Sequence, residues 1–351
     1  METPAEASPA KAETTRRPHL AARIEDAVHG FRERRGRRRG LVPTIVPFPG
    51  YGGEGWLRVL GRVVLVRPGR RVPDRYTNIR GWRSFTSIPV RDAEIRVRVG
   101  EVEHLIRADR GGVIDARVEA RLSPGWGAAL LTLDGSDAIE QPVFVVPGEV
   151  RFGLVSDVDD TVMVTALPHP LLAAWNSFVL TEHGRRAVPG MAVLYDRLTA
   201  THPGSPVVYL STGAWNIVPT LNRFLSRHLF PRGTFLLTDW GPTHDRWFRS
   251  GQEHKKESLA RLATEFPHMR WLLVGDDGQH DEARYREFAD AHPDNVAAVA
   301  IRELTPGEAV LAGGRAQREA HDGAAPWVYG VDGAELAESL AALGLLDAPR
   351  A

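Results

Sequence analysis

The segment FGLVSDVDDT, from Phe152 to Thr161, decides the fold predicted for the second half of this chain. It begins as a short apolar run typical of a buried strand and ends with three carboxylates in four residues. Carboxylates this close repel one another, and a divalent cation removes that cost, since aspartate oxygens are ligands that magnesium prefers. We therefore predict a strand end that holds a metal ion, with a solvent-exposed acidic turn as the alternative.

Strand-like and helix-like segments alternate along the chain after this segment. The apolar runs are VVYL (207–210), TFLL (234–237), RWLLV (270–274) and NVAAVAI (295–301). Between them, apolar residues recur at helical spacing, as in the stripe formed by Met191, Leu194, Tyr195 and Leu198. This alternation predicts a Rossmann-like α/β domain with a parallel sheet, whose ligand site lies at the carboxyl ends of the strands.

Residues 42 to 148 have a different pattern. Short runs alternate with period two, as in EIRVRV (94–99) and DARVEARL (115–122), and clusters of Gly, Pro and Asp separate them. That pattern predicts a small antiparallel β-sandwich. We accordingly expect four regions, namely a disordered and basic segment (1–40), the β-sandwich-like domain (41–149), the α/β domain (150–305) and an extension with a packing helix (306–351).

The composition excludes several classes of protein. None of the 351 residues is cysteine, which rules out disulfide frameworks, thiolate metal sites and cysteine nucleophiles. Lys plus Arg and Asp plus Glu number 44 each, so the charge balance gives no reason to expect a nucleic acid partner. The sequence has neither a secretory signal nor an apolar run long enough for an integral membrane segment, which predicts a cytoplasmic protein.

A local excess of positive charge precedes the β-region. The stretch FRERRGRRRG (31–40) carries six arginines between Arg32 and Arg39, and Leu20, Ile24 and Val28 lie before it at helical spacing. A basic amphipathic helix can lie on anionic lipid. The pattern therefore indicates a peripheral contact with an anionic membrane through Arg32–Arg39, with a solvated charged segment as the alternative.

Polar residues follow the later strands of the predicted sheet. Ser211 and Thr212 come after VVYL and lead through Gly213 into a helix whose free amides could hold a phosphate group. Lys255 opens the third predicted helix, where an ammonium could pair with a phosphoryl group. Alone, each has an ordinary explanation as a helix cap or a surface lysine. Further candidate metal ligands follow RWLLV, namely Asp276, Asp277 and Asp281.

In this order, the motifs resemble the haloacid dehalogenase-like phosphatase superfamily. SDVDDT (156–161), YLSTGAWN (209–216), HKK (254–256) and LLVGDDGQHDEARY (272–285) are similar to the catalytic domain of the actin patch protein-type phosphatidate phosphatases. The resemblance covers about residues 150 to 305. It implies an Mg²⁺-dependent enzyme that hydrolyses phosphatidate to diacylglycerol and phosphate through an aspartyl-phosphate intermediate.

The resemblance also implies a role for each matching residue. The catalytic residues would be Asp157 (nucleophile), Asp159 (general acid and base), Thr161 (stabilising the turn), Ser211 (binding phosphoryl oxygens) and Lys255 (neutralising the phosphoaspartate). The metal would be bound by Asp157, Asp159 and Asp276, with Asp277 or Asp281 assisting. Thr212, Gly213 and Trp215 would bind substrate. Trp215 and Met191 could contact acyl chains, with packing in the core as the alternative.

Three other functions stay open on the sequence. A receiver domain also places carboxylates, Ser/Thr and Lys around magnesium, although its phosphorylated Asp lies on a separate strand. A phosphatase of this class could act on a soluble phosphomonoester such as a sugar phosphate or nucleotide. The β-domain could instead serve a non-catalytic binding protein, although all four motif positions are filled.

Overall fold

The computed structural model of this chain describes residues 20–68, 88–164, 186–238, 244–278, 281–311, 323 and 325–347. Within these ranges the strands form two sheets, one made by residues 42–145 and the other by residues 152–330. We call them the N-terminal sheet and the parallel sheet. The disorder predicted before residue 20 lies outside the described residues.

The N-terminal sheet follows helix α1 (Leu20–Arg38) and contains eight strands. They are β1 (Val42–Gly53), β2 (Trp56–Val66), β3 (Ile88–Pro89), β4 (Glu94–Val99), β5 (Val102–Arg107), β6 (Val113–Val118), β7 (Gly125–Leu133) and β8 (Ile139–Val145). The order is β3-β2-β1-β8-β7-β4-β5, with β6 paired to β2, and the β1–β8 pair is parallel. The predicted β-domain is confirmed, as one curled, mostly antiparallel sheet around its own apolar core.

The parallel sheet contains six strands, and helices connect them. Its strands are β9 (Phe152–Asp157), β10 (Val207–Ala214), β11 (Thr234–Thr238), β12 (Arg270–Asp276), β13 (Val296–Arg302) and β14 (Trp327–Gly330). The helices are α2 (Met191–Thr201), α3 (Val218–Arg227), α4 (His244–Glu265), α5 (Asp281–Ala291), α6 (Pro306–Leu311) and α7 (Gly333–Ala342). The predicted α/β class is therefore confirmed.

The strand order of the parallel sheet locates the crevice. Strands run in the order β11-β10-β9-β12-β13-β14, so the chain leaves β9 toward one edge and later returns to build the other. Ligands bind outside the carboxyl ends of strands at such a reversal. Strand β9 is buried along its whole length and ends at Asp157.

Two bounds differ from the predicted ones. Strand β10 runs on through Ser211, Thr212 and Gly213 to Ala214, and a 3-10 turn separates it from α3. The third helix of this half, α4, begins at His244, so Lys255 lies in its middle and does not open it. Strand β14 joins the parallel sheet from beyond residue 305, and the predicted domain limits stay a prediction.

The two sheets share an apolar core. Phe48 of β1 stacks on Trp215 with ring centroids 5.1 Å apart and an interplanar angle of 6°. Tyr51 and Trp56 pack against Phe266, which follows α4. These side chains belong to the same buried cluster as the strands of the parallel sheet. The two sheets therefore pack directly against each other through this cluster.

A set of charged residues, which we call the interface network, lies beside this core. Arg58 of β2 donates to Glu265 Oε1 at 2.7 Å and pairs with Asp115 of β6. Tyr51 Oη donates to Glu265 Oε2 at 2.6 Å. Arg261 of α4 donates to the second oxygen of Asp115 at 2.9 Å. Two arginines thus meet two carboxylates across the sheet interface.

Candidate active site

Three carboxylates meet at the carboxyl edge of the parallel sheet. Asp157 ends β9, Asp276 ends the neighbouring strand β12, and Asp281 is the first residue of α5. One ligand oxygen from each lies within 4.8 Å of the others, a spacing suited to a single metal ion. The strand register brings them together, because Val274 pairs with Ser156, next to Asp157.

Lys255 closes this group from the helix side. Its ammonium donates to Asp157 Oδ1 at 2.5 Å and to Asp281 Oδ1 at 2.6 Å. The lysine side chain is buried, because α4 packs over β10 and β11. We call Asp157, Asp276, Asp281 and Lys255 the acidic cluster. One cation among three carboxylates leaves the cluster with an excess of negative charge.

The electrostatics of the cluster reflect this excess. Burial, together with the neighbouring charge of Asp281, raises the pKa of Asp157 well above its ordinary value. Burial and the charges of Asp281 and Asp157 raise the pKa of Asp276 likewise. Burial alone would lower the pKa of Lys255, but Asp157 and Asp281 more than offset this and raise it. A bound cation would oppose this rise in pKa and favour the charged form of Asp157.

An unsatisfied oxygen marks where a cation fits. Asp281 Oδ2 is buried and has no hydrogen-bond donor within the part of the chain that the structure describes. A buried carboxylate oxygen without a partner is costly, and metal coordination is one way to satisfy it. The donor set consists of hard oxygens, which suits a divalent cation of the magnesium type.

Gly275 explains how Asp281 approaches the end of β12. A Cβ at this position would lie 2.7 Å from Asp281 Oδ2 and 2.7 Å from a ring carbon of Tyr285. Tyr285 is itself fixed, because its hydroxyl donates to the carbonyl of Val274 at 2.9 Å. A glycine is thus required for the first residue of α5 to reach the strand end.

Asp159 and Ser211 form a second pair beside the cluster. Ser211 Oγ donates to Asp159 Oδ2 at 3.3 Å and accepts from the amide of Gly213 at 3.0 Å. Asp159 is half-buried, whereas Ser211 is fully buried. Thr161 Oγ1 lies 3.5 Å from Asp276 Oδ2, so it connects the first motif to the last. The structure therefore brings all four predicted motifs to one edge of the sheet.

The remaining predicted site residues occupy different places. Asp277 lies outside the three-carboxylate group, and its Oδ1 accepts from the amide of Leu304 at 2.8 Å. Trp215 is 5% exposed and packs on Phe48, and Met191 is buried. The carbonyls of Thr212 and Gly213 accept from Thr238 Oγ1. The predicted contacts of Thr212, Gly213 and Trp215 with substrate stay predictions.

Arg302, at the end of β13, is a supporting residue that the motifs did not reveal. Its Nη1 donates to the carbonyl of Asp160 at 2.6 Å, and its Nη2 binds both oxygens of Glu308 at 2.8 Å. Asp160 has a φ of 55°, in the left-handed region that non-glycine residues seldom adopt. Arg302 therefore holds the turn that carries Asp159. The signal available in the sequence was an arginine directly after the apolar run 296–301.

The geometry of these side chains defines a class of site. A buried carboxylate at the end of β9 lies beside a lysine, two further carboxylates and a hydroxyl hydrogen-bonded to a fourth acid. Such a set can hold a cation, attack an electrophile and transfer a proton. It is the arrangement expected of a metal-assisted hydrolase.

The family comparison makes this class specific. Residues 152–303 match the family described as "Phosphatidate phosphatase APP1, catalytic domain", so this part of the chain is similar to that catalytic domain. The resemblance seen in the motifs is thereby confirmed at family level. The haloacid dehalogenase-like superfamily is consistent with this match.

Two curated proteins are similar over the same length. Phosphatidate phosphatase APP1 of Saccharomyces cerevisiae is 25% identical over 152 residues, and an uncharacterized protein of Schizosaccharomyces pombe is 22% identical over 152 residues. Each match covers 43% of this chain and 25% of the other protein, so the chain matches a quarter of the length of these relatives. Among solved structures, a carbohydrate acetylesterase from Xanthomonas citri is 11% identical with a TM-score of 0.32, over 86% of this chain and 74% of that one.

Among the residues that the structure describes, no helix is both long and apolar enough to cross a bilayer.

Proposed function

We propose that this protein is a magnesium-dependent phosphomonoesterase that acts on phosphatidate, with Asp157 as the nucleophile. The observation that carries the proposal is the acidic cluster, in which Lys255 binds Asp157 and Asp281 while Asp276 lies alongside. The family match over residues 152–303 supports phosphatidate as the substrate. The proposal includes peripheral contact with membranes, because that substrate is a lipid.

The first chemical step would belong to Asp157 and Asp159. A carboxylate oxygen of Asp157 attacks phosphorus, and the bond from phosphorus to the diacylglycerol oxygen breaks. Asp159 donates a proton to that leaving oxygen, so diacylglycerol departs as a neutral alcohol. Lys255 lies 2.5 Å from Asp157 and can neutralise negative charge on the phosphoryl oxygens.

The second step would return the protein to its starting state. Asp159, now ionised, takes a proton from water, and the resulting oxygen attacks phosphorus of the aspartyl phosphate. The bond between phosphorus and Asp157 breaks, which releases inorganic phosphate and the free carboxylate. In this structure the Ser211 hydroxyl donates a hydrogen bond to Asp159 Oδ2 at 3.3 Å. The same hydroxyl can instead bind a phosphoryl oxygen. When bound, magnesium would reduce the repulsion between these carboxylates and the phosphate dianion.

The test is phosphate release from phosphatidate in detergent micelles, with magnesium and with excess chelator. Asp157→Asn should remove activity, whereas Asp277→Asn should keep its dependence on magnesium. Asp277 is a matched control, since it is a buried carboxylate next to Asp276 that lies outside the metal-spaced group. Activity of the wild type that survives chelation would overturn the metal dependence.

A panel of soluble phosphomonoesters completes the assay. Turnover of a sugar phosphate or nucleotide without turnover of phosphatidate would replace the lipid substrate by a soluble one. No phosphatase activity on either class, with magnesium bound, would favour the non-catalytic binding protein.

A further inference from the structure

Helix α1 presents a mixed aromatic and basic stripe to solvent. Gly36 is its buried contact point, because a Cβ there would lie 2.8 Å from Leu65 and 3.1 Å from Ile88 of β2 and β3. At about 100° per residue, Phe31, Arg34 and Arg38 lie about 140° to 160° around the helix from Gly36. Phe31 is 58% exposed, and both arginines are exposed. The face opposite the protein therefore carries an aromatic ring beside two cationic side chains.

The direction of β1 places this helix relative to the active site. Phe48 stacks on Trp215, which follows the carboxyl end of β10. Further along β1, the carbonyl of Gly50 accepts from Thr234, the first residue of β11. Strand β1 therefore runs from the carboxyl edge of the parallel sheet toward its amino edge. Since α1 ends just before Val42, it lies on the same side of the molecule as the acidic cluster.

We infer that the stripe Phe31–Arg34–Arg38 is a membrane contact that holds the carboxyl edge of the parallel sheet toward an anionic lipid surface. The inference deepens the proposed function and rests on it for its purpose, because a substrate in a bilayer must be reached at the surface. Segment 31–40 has six arginines and one glutamate, and that Glu33 binds Arg37 at 2.9 Å. The charge of the remaining arginines suits anionic headgroups, and a partly exposed phenylalanine suits the boundary between headgroups and acyl chains.

Binding can be measured without turnover. The full chain carrying Asp157→Asn is mixed with phosphatidylcholine vesicles, with and without phosphatidylserine, and co-sedimentation is quantified. Two further changes are added separately to this parent, Phe31→Ser and Arg34→Gln with Arg38→Gln. The matched control is Arg96→Gln with Arg98→Gln, which removes two exposed arginines from β4.

The parent should bind the anionic vesicles and lose affinity as salt is raised. Each arginine near an anionic surface contributes about 1 kcal/mol, so the double change in α1 should weaken binding about 30-fold. Phe31→Ser should weaken it about 10-fold through lost apolar burial. The β4 control should bind as the parent does.

Kinetics of the same α1 changes in active protein separate this inference from the proposed function. With p-nitrophenyl phosphate they should leave kcat/KM unchanged, whereas with phosphatidate in vesicles they should raise the apparent KM. Vesicle binding that depends on α1 without any phosphatidate hydrolysis would overturn the lipid substrate and keep the membrane contact. Equal vesicle binding by the parent and the α1 variants would overturn the membrane contact. Binding to duplex DNA that depends on α1 and is tighter than binding to anionic vesicles would also overturn it.

Discussion

The acidic cluster and the interface network both bury charged side chains, yet they balance charge differently. In the interface network, Arg58 and Arg261 meet two carboxylates, and Glu265 also accepts from a tyrosine. In the acidic cluster, Lys255 is the cation for three carboxylates, and Asp281 Oδ2 lacks a donor among the described residues. Balanced buried charge is what a structural contact needs, whereas unbalanced charge needs a ligand. The comparison separates a contact that holds the sheets together from a cluster whose carboxylates could hold a metal ion.

Asp157→Asn should give the largest difference between the two regions. We expect phosphatase activity to fall about 10³-fold or more, because the proposed nucleophile is removed. The melting temperature in chelator should stay equal or rise, since the change removes one negative charge from a cluster with too many. Activity assays and thermal unfolding of the same preparation measure both. A large drop in melting temperature would show that the carboxylate stabilises the fold.

Glu265→Gln should lower stability and keep activity, which is the opposite of what we expect for Asp157→Asn. It leaves Arg58 partly unpaired in a buried place, where loss of one partner costs about 2–4 kcal/mol of unfolding free energy. Activity per folded molecule should be kept. Glu103→Gln is the control, because its pair with Arg96 is exposed and should change stability by less than about 1 kcal/mol in denaturant unfolding. Equal effects of the two changes would contradict a structural role for the network.

Magnesium should stabilise the protein through the acidic cluster alone. A ligand that binds the native state raises the unfolding free energy by about 2.7 kcal/mol at 100 times its dissociation constant. Thermal unfolding over a magnesium titration should show this rise in the wild type and in Glu265→Gln. In Asp276→Asn the rise should disappear. A rise that survives in Asp276→Asn would place the ion elsewhere.

The smallest expected effect concerns His254, which lies on α4 beside Lys255. Burial lowers the pKa of His254 to about 4. The native state therefore binds fewer protons than the unfolded chain between about pH 6.5 and 4. No penalty exists above pH 6.5, and stability is lost as the pH falls through this window. In denaturant unfolding, the wild type should lose about 1–3 kcal/mol of unfolding free energy across this pH window. His254→Gln should not show this loss. Parallel pH profiles for the two proteins would contradict this.

The alternation of strands and helices in the second half could be predicted from sequence because each element carries its own periodicity. The four motifs could be placed at one edge because parallel strands point the same way. Strand β1 contains Pro43, Pro47 and Pro49, residues that a local pattern does not favour within a strand. Those prolines are accommodated because β8 pairs with β1 only at Gly50, Tyr51 and Gly52, so the earlier residues need no amide on that side.

Other features depend on distant contacts that no local pattern encodes. Nothing in the sequence around Trp215 indicates that Phe48, far away in the chain, covers its ring. Lys255 lies in the middle of α4, and this position follows from a helix start at His244 that the polar local sequence does not indicate. The choice between Asp277 and Asp281 depended on which side chain turns toward β9, and the structure places Asp281 there.

The shared core between the two sheets has a consequence for how the molecule comes apart. A fragment beginning at residue 150 would leave Trp215 and Phe266 without the rings of Phe48, Tyr51 and Trp56. The two halves should therefore melt as one cooperative unit, with a single denaturant transition whose steepness reflects the surface of both. The half that carries the acidic cluster would then depend on the N-terminal sheet for part of its rigidity.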